Sequence, residues 1–125
     1  MERKMERADI AIIGTGPGGV SAALTAKVRN KNILLIGKKQ MSDKVSKAHQ
    51  IMNYPGLPAV TGADMAKSFE KQLAMMEINI TDSRIGTVYA MGDYFAIQAG
   101  GEVLEAKSVI LACGVVSGKT LPGEE

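Results

Sequence analysis

The run Gly14-Thr15-Gly16-Pro17-Gly18-Gly19 is where this sequence concentrates its chemistry. Gly14, Gly16 and Gly19 fall at the spacing G-x-G-x-x-G. A first residue without a Cβ lets the chain turn tightly, and a second lets backbone approach an anion. The third lets a helix pack close to a strand. Pro17 suits the first turn of a helix, where its missing N–H costs nothing. The free amides at such a helix start, and the positive end of its dipole, attract a pyrophosphate. The spacing alone is common, and the elements around it decide its meaning.

Those elements are legible. Ala8-Asp9-Ile10-Ala11-Ile12-Ile13 is a short β-branched run ending in glycine, the pattern of a buried parallel strand. After the glycines, Val20, Leu24 and Val28 recur at helical spacing as an apolar stripe. Ala22, Ala23 and Ala26 leave room for close packing on a sheet. Arg29-Asn30-Lys31 reads as a turn, and Ile33-Leu34-Leu35-Ile36 as a second strand. Strand, helix and strand within roughly 30 residues predict a βαβ unit. A dinucleotide held at its glycine turn follows.

Which dinucleotide depends on the end of the second strand. An Asp or Glu there usually binds a ribose hydroxyl, whereas this chain has Gly37-Lys38-Lys39. Two cations without an acid favour a 2′-phosphate, and so an NADP(H)-binding module. Two solvated loop lysines are the plainer reading. The residues leave both open.

Beyond this point, Gly37 to Thr61 is polar and contains Pro55, Gly56 and Pro58, which predicts a long loop with one helical turn. Loops of that length in compact domains are usually functional or disordered. Thr61-Gly62-Ala63-Asp64 predicts a helix start with Thr61 as N-cap. Met65, Phe69, Leu73 and Met76 form its apolar stripe. Ile78 and Ile80 suggest a strand, followed by strands from Ile85 to Met91, Tyr94 to Gln98 and Val103 to Ala106. Gly92-Asp93 and Gly100-Gly101 are the hairpin turns between them. Val109-Ile110-Leu111-Ala112 is a further apolar run, read as a separate strand returning to the parallel sheet before Cys113-Gly114.

Composition narrows the classes. At 125 residues the chain can enclose one real core, and its 46% hydrophobic and 22% charged content is that of a soluble globular protein. No run approaches the ~20 apolar residues of a membrane span. The charged start, Met1 to Arg7, has no apolar segment behind it, so no signal peptide is expected and the cytoplasm is the default compartment. A net charge of +2, with basic residues scattered, gives no reason to expect nucleic acid. The single cysteine excludes an internal disulfide, a C-x-x-C pair and a cysteine zinc cluster within this sequence. Cys113, ending an apolar strand, is expected to behave as a small buried hydrophobe. His49 is a lone histidine in a polar loop, and the eight methionines read as flexible core filler.

Taken together, Gly14 to Gly19, Asn53-Tyr54-Pro55-Gly56, the Thr61-Gly62 helix start, a β-meander and Ile110-Leu111-Ala112-Cys113-Gly114 resemble the thioredoxin reductase family in order and spacing. The closing Leu121-Pro122-Gly123-Glu124-Glu125 fits as well. The resemblance implies residues 1–125 as the N-terminal part of an FAD-binding domain. The fold would be α/β and Rossmann-like, a parallel sheet with an antiparallel β-meander crossover, incomplete without later sequence. It further implies that Gly14, Gly16, Pro17, Gly18 and Gly19 hold the FAD pyrophosphate, with Gly37 and Lys38 beside the same cofactor. Asn53 would contact the flavin half, Val88 would lie by the adenine, and Ala112, Cys113 and Gly114 would close over the cofactor. The implied function is an FAD-binding segment of a disulfide oxidoreductase, without the C-x-x-C and the second nucleotide domain. The implied partners are the rest of the parent flavoprotein or a complementing chain, with self-association through exposed apolar surface. A fold that holds no cofactor, a redox-inactive scaffold, is a third reading.

Two departures stand out. Ser42-Asp43-Lys44-Val45 replaces the family's Gly-Gly-Gln-Leu, and Ala112-Cys113-Gly114 replaces its Ala-Thr-Gly. The first, with Arg29-Asn30-Lys31 and Tyr89 to Phe95, looks like a clostridial subgroup of flavin thioredoxin reductases that take electrons from ferredoxin.

Overall fold

A computed structural model describes residues 6–40 and 43–114. Ser42 and the Leu121 to Glu125 run lie outside the described residues. The elements in chain order are β1 (Ala8–Ile13), α1 (Pro17–Val28), β2 (Ile33–Gly37), α2 (Asp43–Ser46) and α3 (Gly62–Met75). β3 (Ile80–Asp82), β4 (Ile85–Ala90), β5 (Phe95–Ala99) and β6 (Glu102–Leu111) follow. The six strands form one sheet in the order β3-β2-β1-β6-β5-β4. β2 and β6 flank β1 in parallel, and β3 pairs in parallel with β2. β4, β5 and the first half of β6 form the antiparallel meander.

Both faces of β1 are buried, which is why its sequence reads as a continuous apolar run. Ile12, with Leu35 of β2, packs against Val20 and Ala23 of α1 and Met65, Phe69 and Leu73 of α3. Ala11 and Ile36 turn to the other side, where Ile97, Ala99 and Leu104 of the meander cover them. The α/β expectation holds. Helices cover one face of the parallel strands and the meander's side chains cover the other.

Three local expectations change. Val28 is 69% exposed, and the buried face of α1 is Gly19, Val20, Ala23 and Ala26. At 3.6 residues per turn, Val28 stands about 80° round the helix from Val20, on the side away from Ala23 and Ala26. Ile78 is buried in the connection before β3, which starts only at Ile80. The runs Val103 to Ala106 and Val109 to Leu111 belong to one ten-residue strand, β6, and Ala112 lies just beyond it.

The polar pair Lys107-Ser108 separates the two apolar runs in sequence, and both side chains find partners on β1. The Ser108 hydroxyl donates to the Asp9 carbonyl oxygen at 2.8 Å, and Lys107 Nζ lies 3.5 Å from Asp9 Oδ1. The Asn32 amide donates to Asp9 Oδ2 at 2.9 Å. That hydrogen bond, helped by Lys107, holds the Asp9 carboxyl below its ordinary range. Ala106 pairs with Phe95 on one edge and Ala8 on the other. Beyond it β6 pairs with β1 alone. Among the described residues, no strand takes the opposite edge of Lys107 to Leu111. Ile110 is 39% exposed there and Leu111 71%.

The long loop carries the expected helical turn, α2. An isolated bridge between Ile51 and Val60 closes the Met52–Ala59 stretch, and Tyr54 packs its ring 5.5 Å from that of Phe69. The Thr61 cap is present, its hydroxyl oxygen accepting from the Asp64 amide at 3.1 Å. The loop is pinned at Gly62, whose amide donates to the Ala48 carbonyl oxygen at 2.9 Å. A Cβ on Gly62 would run into the carbonyl oxygens of Val45 and Ala48. Gly62→Ala is therefore expected to cost about 1–3 kcal/mol, the range for forcing atoms into a packed place. The readout is a lower urea midpoint at unchanged slope. An unaltered midpoint would mean that the loop gives way without cost.

Candidate functional site

The crevice at the C-terminal end of β1 is where the chain direction splits. β2 leaves on one side and β6 arrives on the other, so the loops diverge above β1, the usual place for a ligand in an open α/β sheet. Gly14 turns the chain there with φ +120°, a backbone angle that side chains rarely adopt. Its amide donates to the Ile36 carbonyl oxygen at 2.9 Å. On the other side, the Ala112 amide donates to the Ile13 carbonyl oxygen at 2.8 Å. The turn is thus strapped to both neighbouring strands.

The glycines differ in what surrounds them. A Cβ on Gly14 would collide with the Ala112 carbonyl oxygen, and one on Gly19 with the Gly14 carbonyl oxygen. These two glycines serve backbone packing. A Cβ on Gly16 would meet nothing within 4 Å, and one on Gly18 only the Ala112 Cβ at 4.0 Å. Gly16 and Gly18 border open space.

Gly16 is the N-cap of α1, with no side-chain cap, and Pro17 follows as the first helical residue. The helix has no acid in its first turn. Its hydrogen-bond ladder begins with the Val20 amide donating to the Gly16 carbonyl oxygen at 3.0 Å. The amides of Gly18 and Gly19 precede that ladder, at the positive end of the helix. A tight turn, an uncapped helix start and room for an anion above Gly16 together fit a dinucleotide pyrophosphate.

Around this turn the structure gathers Gly14, Gly16, Pro17, Gly18, Gly19, Gly37, Lys38 and Ala112. Cys113 follows Ala112, and its Sγ lies 3.8 Å from the Ile13 carbonyl oxygen. The residue is exposed while its thiol donates into that part-buried contact, which corrects the expectation of a buried hydrophobe. The strand ends at Leu111, so Cys113 stands beyond the sheet on the loop leading to Gly114 (φ +68°). Asn53 is exposed on the loop between α2 and α3. Val88 is half-buried on β4, three strands from β1, and packs against the meander core. Neither joins the glycine turn through a described hydrogen bond. Lys38 and Lys39 are exposed, as expected of solvated lysines.

One residue escaped the sequence. The Thr15 hydroxyl donates to the Lys38 carbonyl oxygen at 2.7 Å, tying the glycine turn to the end of β2. Position 15 is an unspecified x in the glycine spacing, so nothing in the pattern singles it out.

A family profile described as pyridine nucleotide-disulphide oxidoreductase matches residues 8–125. The chain belongs to that family. Among solved structures, a ferredoxin-flavin thioredoxin reductase from Clostridium acetobutylicum superposes with a TM-score of 0.88 at 44% identity. The match covers 94% of this chain and 41% of that one. A thioredoxin reductase from Helicobacter pylori is 37% identical over 109 residues, which are 85% of this chain and 35% of the relative. A 34.2 kDa protein in a rubredoxin operon of Clostridium pasteurianum is 28% identical over 98% of this chain and 41% of its own length. These relatives are more than twice as long as the 125-residue chain. Likeness to the thioredoxin reductases, and to the clostridial ferredoxin-linked type, agrees with the reading of the sequence. Among the described residues, no helix is long and apolar enough to cross a membrane.

Proposed function

We propose that this chain binds FAD as the N-terminal part of the FAD-binding domain of a thioredoxin-reductase-like flavoprotein. The observation that carries the proposal is the open space above Gly16, beside the unladdered amides of Gly18 and Gly19. In this reading those amides hold the pyrophosphate, and Gly37 and Lys38 border the adenosine side. Ala112, Cys113 and Gly114 close the opposite wall, while Asn53 and Val88 meet the cofactor's outer parts. Bound FAD would supply two-electron transfer to the parent protein. The disulfide chemistry and the electron donor belong to that parent. Its ferredoxin-linked relative supports reduced ferredoxin as the donor.

The rest of the parent flavoprotein, or a complementing chain, is the proposed partner. Among the described residues no strand pairs with the outer edge of Lys107 to Leu111, and this edge with the exposed Ile110 and Leu111 supports the partner, since such edges invite a further strand. Titration with FAD tests the main reading. A 1:1 yellow complex with a flavin absorption band is expected, and a folded chain that takes up no FAD would favour the redox-inactive scaffold.

NADP(H) is the second reading, favoured by Lys38 and Lys39 standing where an acid is usual. Exposed charges contribute little, so Lys38→Ala and Lys39→Ala are each expected to change FAD affinity by less than about 1 kcal/mol. A large loss of NADPH binding in the double variant would promote the second reading.

A further inference from the structure

The glycine turn and the end of β2 approach each other at one point. There the Thr15 hydroxyl donates to the Lys38 carbonyl oxygen at 2.7 Å. Gly37, the last residue of β2, leaves no room beside this contact. A Cβ there would stand 2.8 Å from Thr15 Cγ2, 3.1 Å from its Oγ1 and 3.3 Å from its amide nitrogen. Thr15 therefore lies flat against backbone that carries no side chain, and its hydroxyl reaches the next carbonyl. The Gly14 amide reaches the Ile36 carbonyl oxygen two residues earlier. Together these bonds fix Gly14 and Thr15 against Ile36 of β2 and Lys38 just beyond it, one through backbone and one through a side chain.

We propose that Thr15 is a positioning residue of the nucleotide site, a latch that sets the distance between the amides of Gly18 and Gly19 and the end of β2. This rests on the dinucleotide reading of the glycine turn. A dinucleotide lying across the turn has its pyrophosphate over α1 and one ribose over the end of β2. Its affinity thus depends on the spacing of two backbone segments that belong to different elements. Gly14 holds only the near end of that spacing. Without the latch, Gly16 to Gly18 and Lys38 can move apart, and binding must bring them together again at an ordering cost.

Two substitutions separate the latch from simple packing. Thr15→Val keeps the methyl that touches Gly37 and removes the donor, whereas Thr15→Ser keeps the donor and removes the methyl. FAD affinity of the chain is measured by fluorescence titration well below the melting temperature, with the melting of the free chain recorded alongside. The latch predicts wild-type affinity for Thr15→Ser. For Thr15→Val it predicts a loss of roughly three- to tenfold, the worth of one hydrogen bond. The opposite order, with serine weak and valine unaffected, would overturn the latch in favour of packing, and so would equal affinities in all three chains. Loss of affinity in Thr15→Val that only follows a fall in melting temperature would overturn it as well. Failure of the wild-type chain to bind FAD would instead remove the dinucleotide reading itself, and the latch with it.

Discussion

Gly16→Val is expected to abolish FAD binding while leaving the fold intact. The two halves of that expectation come from the same geometry. A Cβ at Gly16 meets no protein atom within 4 Å, and the residue's φ of −77° is one that any side chain accepts. The added Cβ therefore enters open space, and the remaining cost is that of valine in place of glycine at the N-cap, about 1 kcal/mol, so the chain should stay folded with a modestly lower melting temperature. That space, however, is where a pyrophosphate must lie to reach the amides of Gly18 and Gly19. Hydrogen bonds to a charged group are worth about 1.5–3 kcal/mol each. Losing two of them costs at least about 3 kcal/mol, or roughly a hundredfold in affinity at 1.4 kcal/mol per decade. The comparison with Gly14→Ala sharpens the test. There a Cβ collides with the Ala112 carbonyl oxygen and φ is +120°, so that variant should lose stability as well as binding. Retained FAD affinity in folded Gly16→Val would count decisively against the site.

The parts of this fold that were readable in the sequence are those where a local pattern and a tertiary demand coincide. β1 and β2 are buried on both faces, so their apolar runs are continuous. Thr61 caps α3 with the side chain that its position advertises. Gly92 and Gly100 take the positive φ that hairpin turns require. The misreadings have a common cause in partners far along the chain. Lys107 and Ser108 separate two apolar runs in sequence, and Asp9, about a hundred positions earlier, supplies their contacts. Val28 matches helical spacing, but the sheet lies against the alanine side of α1, which spacing alone does not select. Cys113 follows an apolar run, yet the strand stops two residues before it. At the site, the glycines are legible from their spacing, Gly14 and Gly19 answering to backbone packing and Gly16 and Gly18 to open space. Thr15 is not, since its role depends on Lys38 arriving from another element. Asn53 and Val88 rest on likeness to the family, and no local geometry of this chain picks them out.

The second large effect concerns chemistry that the 125-residue polypeptide is expected not to perform. Supplied with FAD and with reduced ferredoxin or NADPH, it should show no catalytic turnover of a disulfide. Reducing a disulfide to two thiols takes two electrons and two protons. By thiol exchange, an attacking thiolate first forms a mixed disulfide, and a second protein thiol must then displace the substrate's remaining sulfur. Cys113 is the one cysteine of this sequence. It is exposed, beyond the end of β6, so its thiolate can attack a substrate disulfide and release one substrate sulfur as thiolate, but no second cysteine of this sequence can resolve the adduct. The reaction should stop at one mixed disulfide per chain, visible by mass as a single adduct that Cys113→Ser removes. Multiple turnover that needs Cys113 would show that a small thiol or a second chain resolves the adduct, and that this residue has a redox role. Multiple turnover that survives Cys113→Ser would place the reduction outside protein thiols altogether. The edge of β6 that no described strand covers, and the exposed Ile110 and Leu111, lie immediately before Ala112 and Cys113. A segment covering them would also stand against Ala112 to Gly114, the wall of the proposed nucleotide site.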